Sequence, residues 1–175
     1  YAFARTGLKH ITFPNTLYWI DEGAFSDCDK IVEISIPRTI TRIPDKCFAN
    51  CDNLTKVNLE EGIESIGAEA FRECVNILDI TIPDSVTYID SYAFDSCSNL
   101  KSVVIGKSVE TISESAFSYC KSLEKIVIPD SVKKIESSAF YGCENLTSVD
   151  FGNSLEEIGY YAFYYCSSLT SVVIP

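Results

Sequence analysis

Eight cysteines and a single histidine are the residues through which this chain would do nucleophilic or metal chemistry. A cysteine nucleophile needs a base within hydrogen-bond reach, and a zinc site needs paired cysteines or nearby histidines at short spacing. Seven of the eight, Cys28, Cys51, Cys74, Cys97, Cys120, Cys143 and Cys166, fall 23 residues apart. That interval is far too long for a C-x-x-C pair, and His10 falls at an outward strand position near the N-terminal edge. No catalytic role, metal or cofactor is therefore expected. An even cysteine count also invites a disulfide reading. Identical inward positions in a stack point all the side chains the same way, however, whereas a disulfide needs converging Cβ vectors. Free, buried thiols are the expectation. Cys47, off the ladder and four residues before Cys51, keeps two readings open: a reactive or paired thiol, or a small core residue where other repeats carry alanine.

Carboxylates are numerous, 25 Asp and Glu against 14 Lys and Arg for a net charge of -11. Glu110 stands in line with Glu64 two repeats away, but solvated surface charge explains such pairs. The chain lacks a G-x-x-x-x-G-K-S/T loop, a G-x-G-x-x-G turn and a G-x-S-x-G elbow, so its glycines read as turn punctuation. A nucleic-acid binder needs a basic stripe to displace counterions, and none is present. No apolar run reaches the roughly 18 residues of a membrane span, so direct membrane insertion is not expected. The chain begins with Tyr1, contains no Met and opens inside a repeat, which reads as a fragment of a longer protein.

The elements that carry these residues follow from the 23-residue period. Phe25, Phe48, Phe71, Phe94, Phe117, Phe140 and Phe163 form a second ladder beside the cysteines. Ile20, Ile43, Ile66, Ile89, Ile112, Ile135 and Ile158 precede it, and Ile31, Leu54, Ile77, Leu100, Leu123, Leu146 and Leu169 follow the cysteines. Ile34, Val57, Ile80, Val103, Ile126, Val149 and Val172 come next, with a further apolar residue two places on, which is strand periodicity. Ile20, Ala24, Phe25 and Cys28, at intervals of four, one and three, read as the apolar stripe of a short helix. Each unit thus reads strand, turn, helix, turn. Pro37, Pro83, Pro129 and Pro175 stop alternate strands, since proline donates nothing to a ladder. Asn53, Asn76, Asn99 and Asn145 are expected to turn the chain in left-handed conformation. Phe3 sits one residue too close to its strand, so the first unit is partial and irregular.

The pattern L-x-x-V-x-I-P-x-S-V-x-x-I-x-x-x-A-F-x-x-C, spelled almost without departure by Leu123 through Cys143, resembles the BspA-like leucine-rich repeat family. The resemblance covers essentially the whole chain, with Pro44 and Cys47 as small departures. It implies an α/β solenoid, residues 1–175 forming one leucine-rich-repeat domain of about seven repeats, each with one short parallel strand and one short helical segment. It also implies a cell-surface or secreted protein that adheres to host matrix proteins such as fibronectin or fibrinogen.

A partner, protein or glycan, would meet the outward columns of the sheet. One column contains His10, Glu33, Lys56, Asp79, Ser102, Lys125, Ser148 and Ser171; its neighbour contains Thr12, Ser35, Asn58, Thr81, Val104, Val127, Asp150 and Val173. Glu33, Lys56 and Asp79 alternate in charge and read equally well as cross-strand pairs. Tyr141, Tyr160, Tyr161, Tyr164 and Tyr165 gather near the last turn, with Tyr141 stacking on Tyr164. They would contact a partner or a following repeat, and open ends leave self-association as an alternative role. Two Asn-Leu-Thr sequons, at Asn53 and Asn145, arise from the repeat register itself.

Overall fold

Alternation of Glu33, Ile34, Ser35 and Ile36 turns the two isoleucines inward and leaves the polar pair in solvent. The computed structural model, which describes residues 1–174, forms this segment as a strand and repeats it along the chain. With strands numbered in chain order, the odd ones line one face: β1 (Glu33–Ile36), β3 (Lys56–Leu59), β5 (Asp79–Thr81), β7 (Ser102–Val104), β9 (Lys125–Val127) and β11 (Ser148–Asp150). They run parallel and in register, Ile34 beside Val57 and Ile80 beside Val103. This face divides between β3 and β5 into ladders of two and four strands. It has six strands among the described residues, one fewer than the seven full strands expected, because residues 171–174 are not a strand.

The helical segment expected in each repeat is absent among the described residues. Two features of the backbone replace it. The isoleucines read as the start of a helix stripe instead sit in a second parallel sheet of two-residue strands: β2 (Arg42–Ile43), β4 (Ser65–Ile66), β6 (Tyr88–Ile89), β8 (Thr111–Ile112), β10 (Lys134–Ile135) and β12 (Glu157–Ile158). Beyond them the chain makes tight turns. An α-helix directs every N–H to the carbonyl four residues back. Here Ala70 and Arg72 close onto Gly67 and Glu69, three residues back, while Glu69, Phe71 and Glu73 donate to Ser91, Ala93 and Asp95 of the next repeat at 2.8–3.0 Å. Alternate N–H groups therefore leave the turn and build a third ladder between repeats. Two residues per repeat stand in left-handed conformation, for example Glu69 at φ 56° and Glu73 at φ 59°, and each breaks any helix that would propagate.

These turns carry the core. Phe3, Phe25, Phe48, Phe71, Phe94, Phe117, Phe140 and Phe163 stack face to face, with centroids 5.2–5.5 Å apart and planes within 9° of parallel. Strands stack at about 4.8 Å, so the rings are slightly offset, the geometry that the aromatic quadrupole favours. Phe3 joins the stack in spite of its shifted register. A further inward column, Ile40, Ile63, Val86, Val109 and Val132, completes one continuous apolar core. Strands followed by Pro37 or Pro83 end at the same register as those followed by Glu60 or Gly106, and just past them the repeats come very close: a Cβ on Gly106 would lie 2.0 Å from the Pro83 carbonyl oxygen.

The asparagines behave otherwise than expected. Asn53, Asn76, Asn99 and Asn145 are not left-handed; the Asn76 amide donates to the Asp52 carbonyl at 2.8 Å, and the Asn99 amide to the Asn76 side chain at 3.0 Å. The left-handed positions lie earlier in the turn, at Asn50 and its equivalents.

Candidate functional site

Each ladder cysteine has a partner, and the partner is structural. The Cys51, Cys74, Cys97, Cys120, Cys143 and Cys166 thiols donate to the carbonyls of Phe25, Phe48, Phe71, Phe94, Phe117 and Phe140 in the preceding repeat, at 3.0–3.3 Å. Cys28 does the same to Phe3. All eight cysteines, Cys47 included, are buried as free thiols. Burial raises the Cys47, Cys74, Cys97 and Cys120 thiols well above the ordinary range and Cys51 to about 12. A thiolate is the reactive species, so these groups are inert at neutral pH. His10 is exposed on the outside of the solenoid, away from them. Among the described residues, no cluster of His, Cys, Asp and Glu is placed to hold a metal.

The sheet face presents the outward columns in register. Lys56 meets Glu33 at 2.7 Å, and the Asn58 amide donates to the Ser35 hydroxyl at 3.3 Å. Asp79 is not drawn into the pairing, because it lies across the break between β3 and β5. Farther along, Asp79 neighbours Ser102, Thr81 neighbours Val104, Lys125 neighbours Ser148 and Val127 neighbours Asp150. Val104 and Val127 are 57% and 61% exposed, so this half of the face is apolar at its centre.

The tyrosines occupy a different face, on the turns. Tyr141 and Tyr164 stack with centroids 5.7 Å apart, as their repeat positions predict. Tyr165 packs edge-on against Tyr141 at 5.7 Å, and Tyr160, Tyr161 and Tyr164 continue the cluster at 4.1–4.9 Å. Sequence reasoning left out Tyr119, which meets Tyr141 edge-on at 5.2 Å. Tyr119, Tyr141, Gly142, Glu144, Tyr165 and Ser167 line a groove of about 330 Å³. Its floor is Gly142, φ 69°, where a Cβ would stand 2.8 Å from the Tyr119 ring. The missing side chain at Gly142 opens the groove between Tyr119 and Tyr165, which share its repeat position. Partial desolvation, then the Tyr119 hydroxyl, raises the Tyr141 phenol above its ordinary value.

Four tyrosines, Tyr92, Tyr119, Tyr161 and Tyr165, sit at φ between 53° and 60°. The same two turn positions hold Gly23, Asp27, Asn50 and Gly142 in other repeats, and also Lys46, Glu69, Glu73, Ser96, Ser115 and Ser138. Glycine meets no steric penalty there, and the short Asn and Asp side chains bond locally. A tyrosine has neither advantage, and left-handed backbone costs roughly 1 kcal/mol or more per residue. Left-handed backbone is thus general to this turn, and at four of its positions the residue it displays is an exposed tyrosine. The signal was present in the column Asp27, Asn50, Glu73, Ser96, Tyr119, Gly142, Tyr165, once it is known to be left-handed.

Solved structures share the architecture. A leucine-rich repeat protein of T. pallidum is 28% identical with a TM-score of 0.71, over 80% of this chain and 78% of that one. One from Bacteroides ovatus is 26% identical with a TM-score of 0.54, over 94% of this chain and 54% of that one. A leucine rich cell surface protein of Faecalibacterium prausnitzii, 22% identical with a TM-score of 0.55 over 87% of this chain, shares the fold, and the chain spans 62% of its length. No curated protein sequence matches at a significant level. Six copies of the BspA type leucine rich repeat region match across residues 1–101 and 87–175, and the chain belongs to that family.

Proposed function

We propose that this chain is a non-catalytic protein-binding module of a cell-surface protein, and that its role is adhesion to host or extracellular matrix components. The observation that carries the reading is the cluster of exposed tyrosines that the turns of adjacent repeats display together. Tyrosine offers a large apolar surface with one polar tip and is enriched at interfaces. The exposed Val104 and Val127 on the sheet give a second area of contact. The F. prausnitzii protein is described as a cell surface protein, which supports the location, and no helix among the described residues is long and apolar enough to cross a membrane. Buried thiols and the match to a leucine rich repeat family support a binding role.

The test is binding of the chain to an immobilised panel of matrix proteins, beside a variant carrying Tyr119→Ser and Tyr165→Ser. Saturable binding that the variant weakens at least tenfold supports the reading. Absence of binding to every matrix protein and to host cells sinks it.

Self-association is the second reading, favoured by Phe151, Leu155, Phe163 and Leu169, which the core leaves partly exposed. Sedimentation over a hundredfold concentration range tests it, and a monomer throughout removes it.

A further inference from the structure

We infer that the tyrosine groove over Gly142 receives arginine-bearing, basic segments of a protein partner. The inference rests on the proposed binding role and names the chemistry of its partner. Three rings, Tyr119, Tyr141 and Tyr165, surround the groove, and Glu144 stands at its side with no aliphatic side chain in the lining. Aromatic faces attract a cation within about 6 Å of the ring centroid, and a planar guanidinium stacks on them as well. A leucine anchor would want aliphatic walls, which are missing, and a phenylalanine would leave the Glu144 carboxylate without a cation.

Charge points the same way. Between Glu110 and Thr170 nine carboxylates stand against four lysines, so the surroundings attract cations. Lys121 is held by Glu144 at 2.9 Å, and an incoming guanidinium can exchange with it on the same carboxylate. A second recess, lined by Glu114, Glu136 and Glu157 around Lys134, is built from the same repeats. Gly159, which also lines that recess, is the chain neighbour of Tyr160. Both recesses offer carboxylates to the arginines of such a segment. A nucleic acid or an anionic polysaccharide is repelled by the same field.

Calorimetry of the whole chain with an arginine-rich peptide, its glutamine analogue, a proline-rich peptide and a neutral oligosaccharide tests this. Binding of the arginine peptide alone, weakened at least tenfold between 50 and 500 mM salt, is expected. Tyr165→Phe should retain it, since the ring face remains, while Tyr165→Leu and Glu144→Gln should each weaken it fivefold or more. Equal binding of the glutamine analogue, or full retention by Tyr165→Leu, overturns the inference. So does preference for the proline-rich peptide or the oligosaccharide. If tyrosine-dependent matrix binding persists while no arginine peptide binds, the proposed function stands and only this assignment of its partner falls.

Discussion

The Cys97 thiol donates to the Phe71 carbonyl 3.2 Å away, so one residue closes the core and ties its repeat to the one before. Alanine at position 97 keeps the small apolar character but loses donor and sulfur volume. Valine restores volume without a donor and adds a branch to a fully buried site. Cys97→Ala should cost about 1–2 kcal/mol and Cys97→Val about 1–3 kcal/mol, from the bond lost and from overpacking. Urea midpoints measure both. A Cys97→Val protein as stable as the parent would show that the position asks for apolar volume alone.

Buried thiols make the solenoid sensitive to alkali. In the folded chain burial pushes Cys51 up to about 12 and Cys74, Cys97 and Cys120 well above the ordinary range, whereas an unfolded cysteine titrates near 8.5. The folded state therefore holds its protons where the unfolded state releases them. Stability from this source is complete below about pH 8 and declines as pH rises toward 12, by up to about 1.4 kcal/mol per pH unit for each such thiol. Unfolding midpoints at pH 8 and pH 10.5 should differ, and Cys74→Ala combined with Cys120→Ala should shrink the difference. An unchanged difference in that double variant would assign the alkaline loss to other groups.

Backbone contact at Gly106 gives a sharper test of the repeat spacing. An added Cβ meets the Pro83 carbonyl oxygen at 2.0 Å, and backbone cannot swing aside as a side chain can. Gly106→Ala should destabilise by about 3 kcal/mol or more, in the range of severe steric lesions. At Gly7 an added Cβ meets nothing within 4 Å, so Gly7→Ala should change little. Thermal unfolding of the two variants side by side distinguishes them, and similar melting temperatures would contradict the close approach.

Register was legible because the columns of Phe25, Cys28 and Ile34 recur without a gap, and any stack that buries one copy buries all. The turn was not. Ile20, Ala24, Phe25 and Cys28 have the spacing of a helix stripe, and a two-residue strand such as Arg42–Ile43 is too short to display alternation. What separates turn from helix is where the Phe71 N–H goes, to Ala93 of the next repeat, and a partner 22 residues away leaves no local mark. Glycine, asparagine and aspartate at Gly23, Asn50 and Asp27 hinted at left-handed backbone. Lys46, Glu69 and Tyr119 in the same columns concealed it. Tyr141 on Tyr164 followed from period alone, whereas the groove needed the φ of Gly142 and the lean of Tyr119.

The strain at Tyr165 separates display from folding. Its φ is 60°, and the residue is 62% exposed, so it contributes limited burial while holding a conformation that asparagine adopts more readily. Tyr165→Asn relieves roughly 1 kcal/mol of backbone strain and gives up edge contacts with Tyr141 and Tyr164 worth about as much. Stability should stay within about 0.5 kcal/mol of the parent or rise, since the two effects oppose each other at a surface site. Binding through the groove should fall, because the ring is gone. Chemical denaturation together with the matrix-binding measurement reads both quantities on one protein. A loss of 2 kcal/mol or more with binding intact would make Tyr165 a packing residue, and the strained tyrosines would then belong to the fold rather than to a partner.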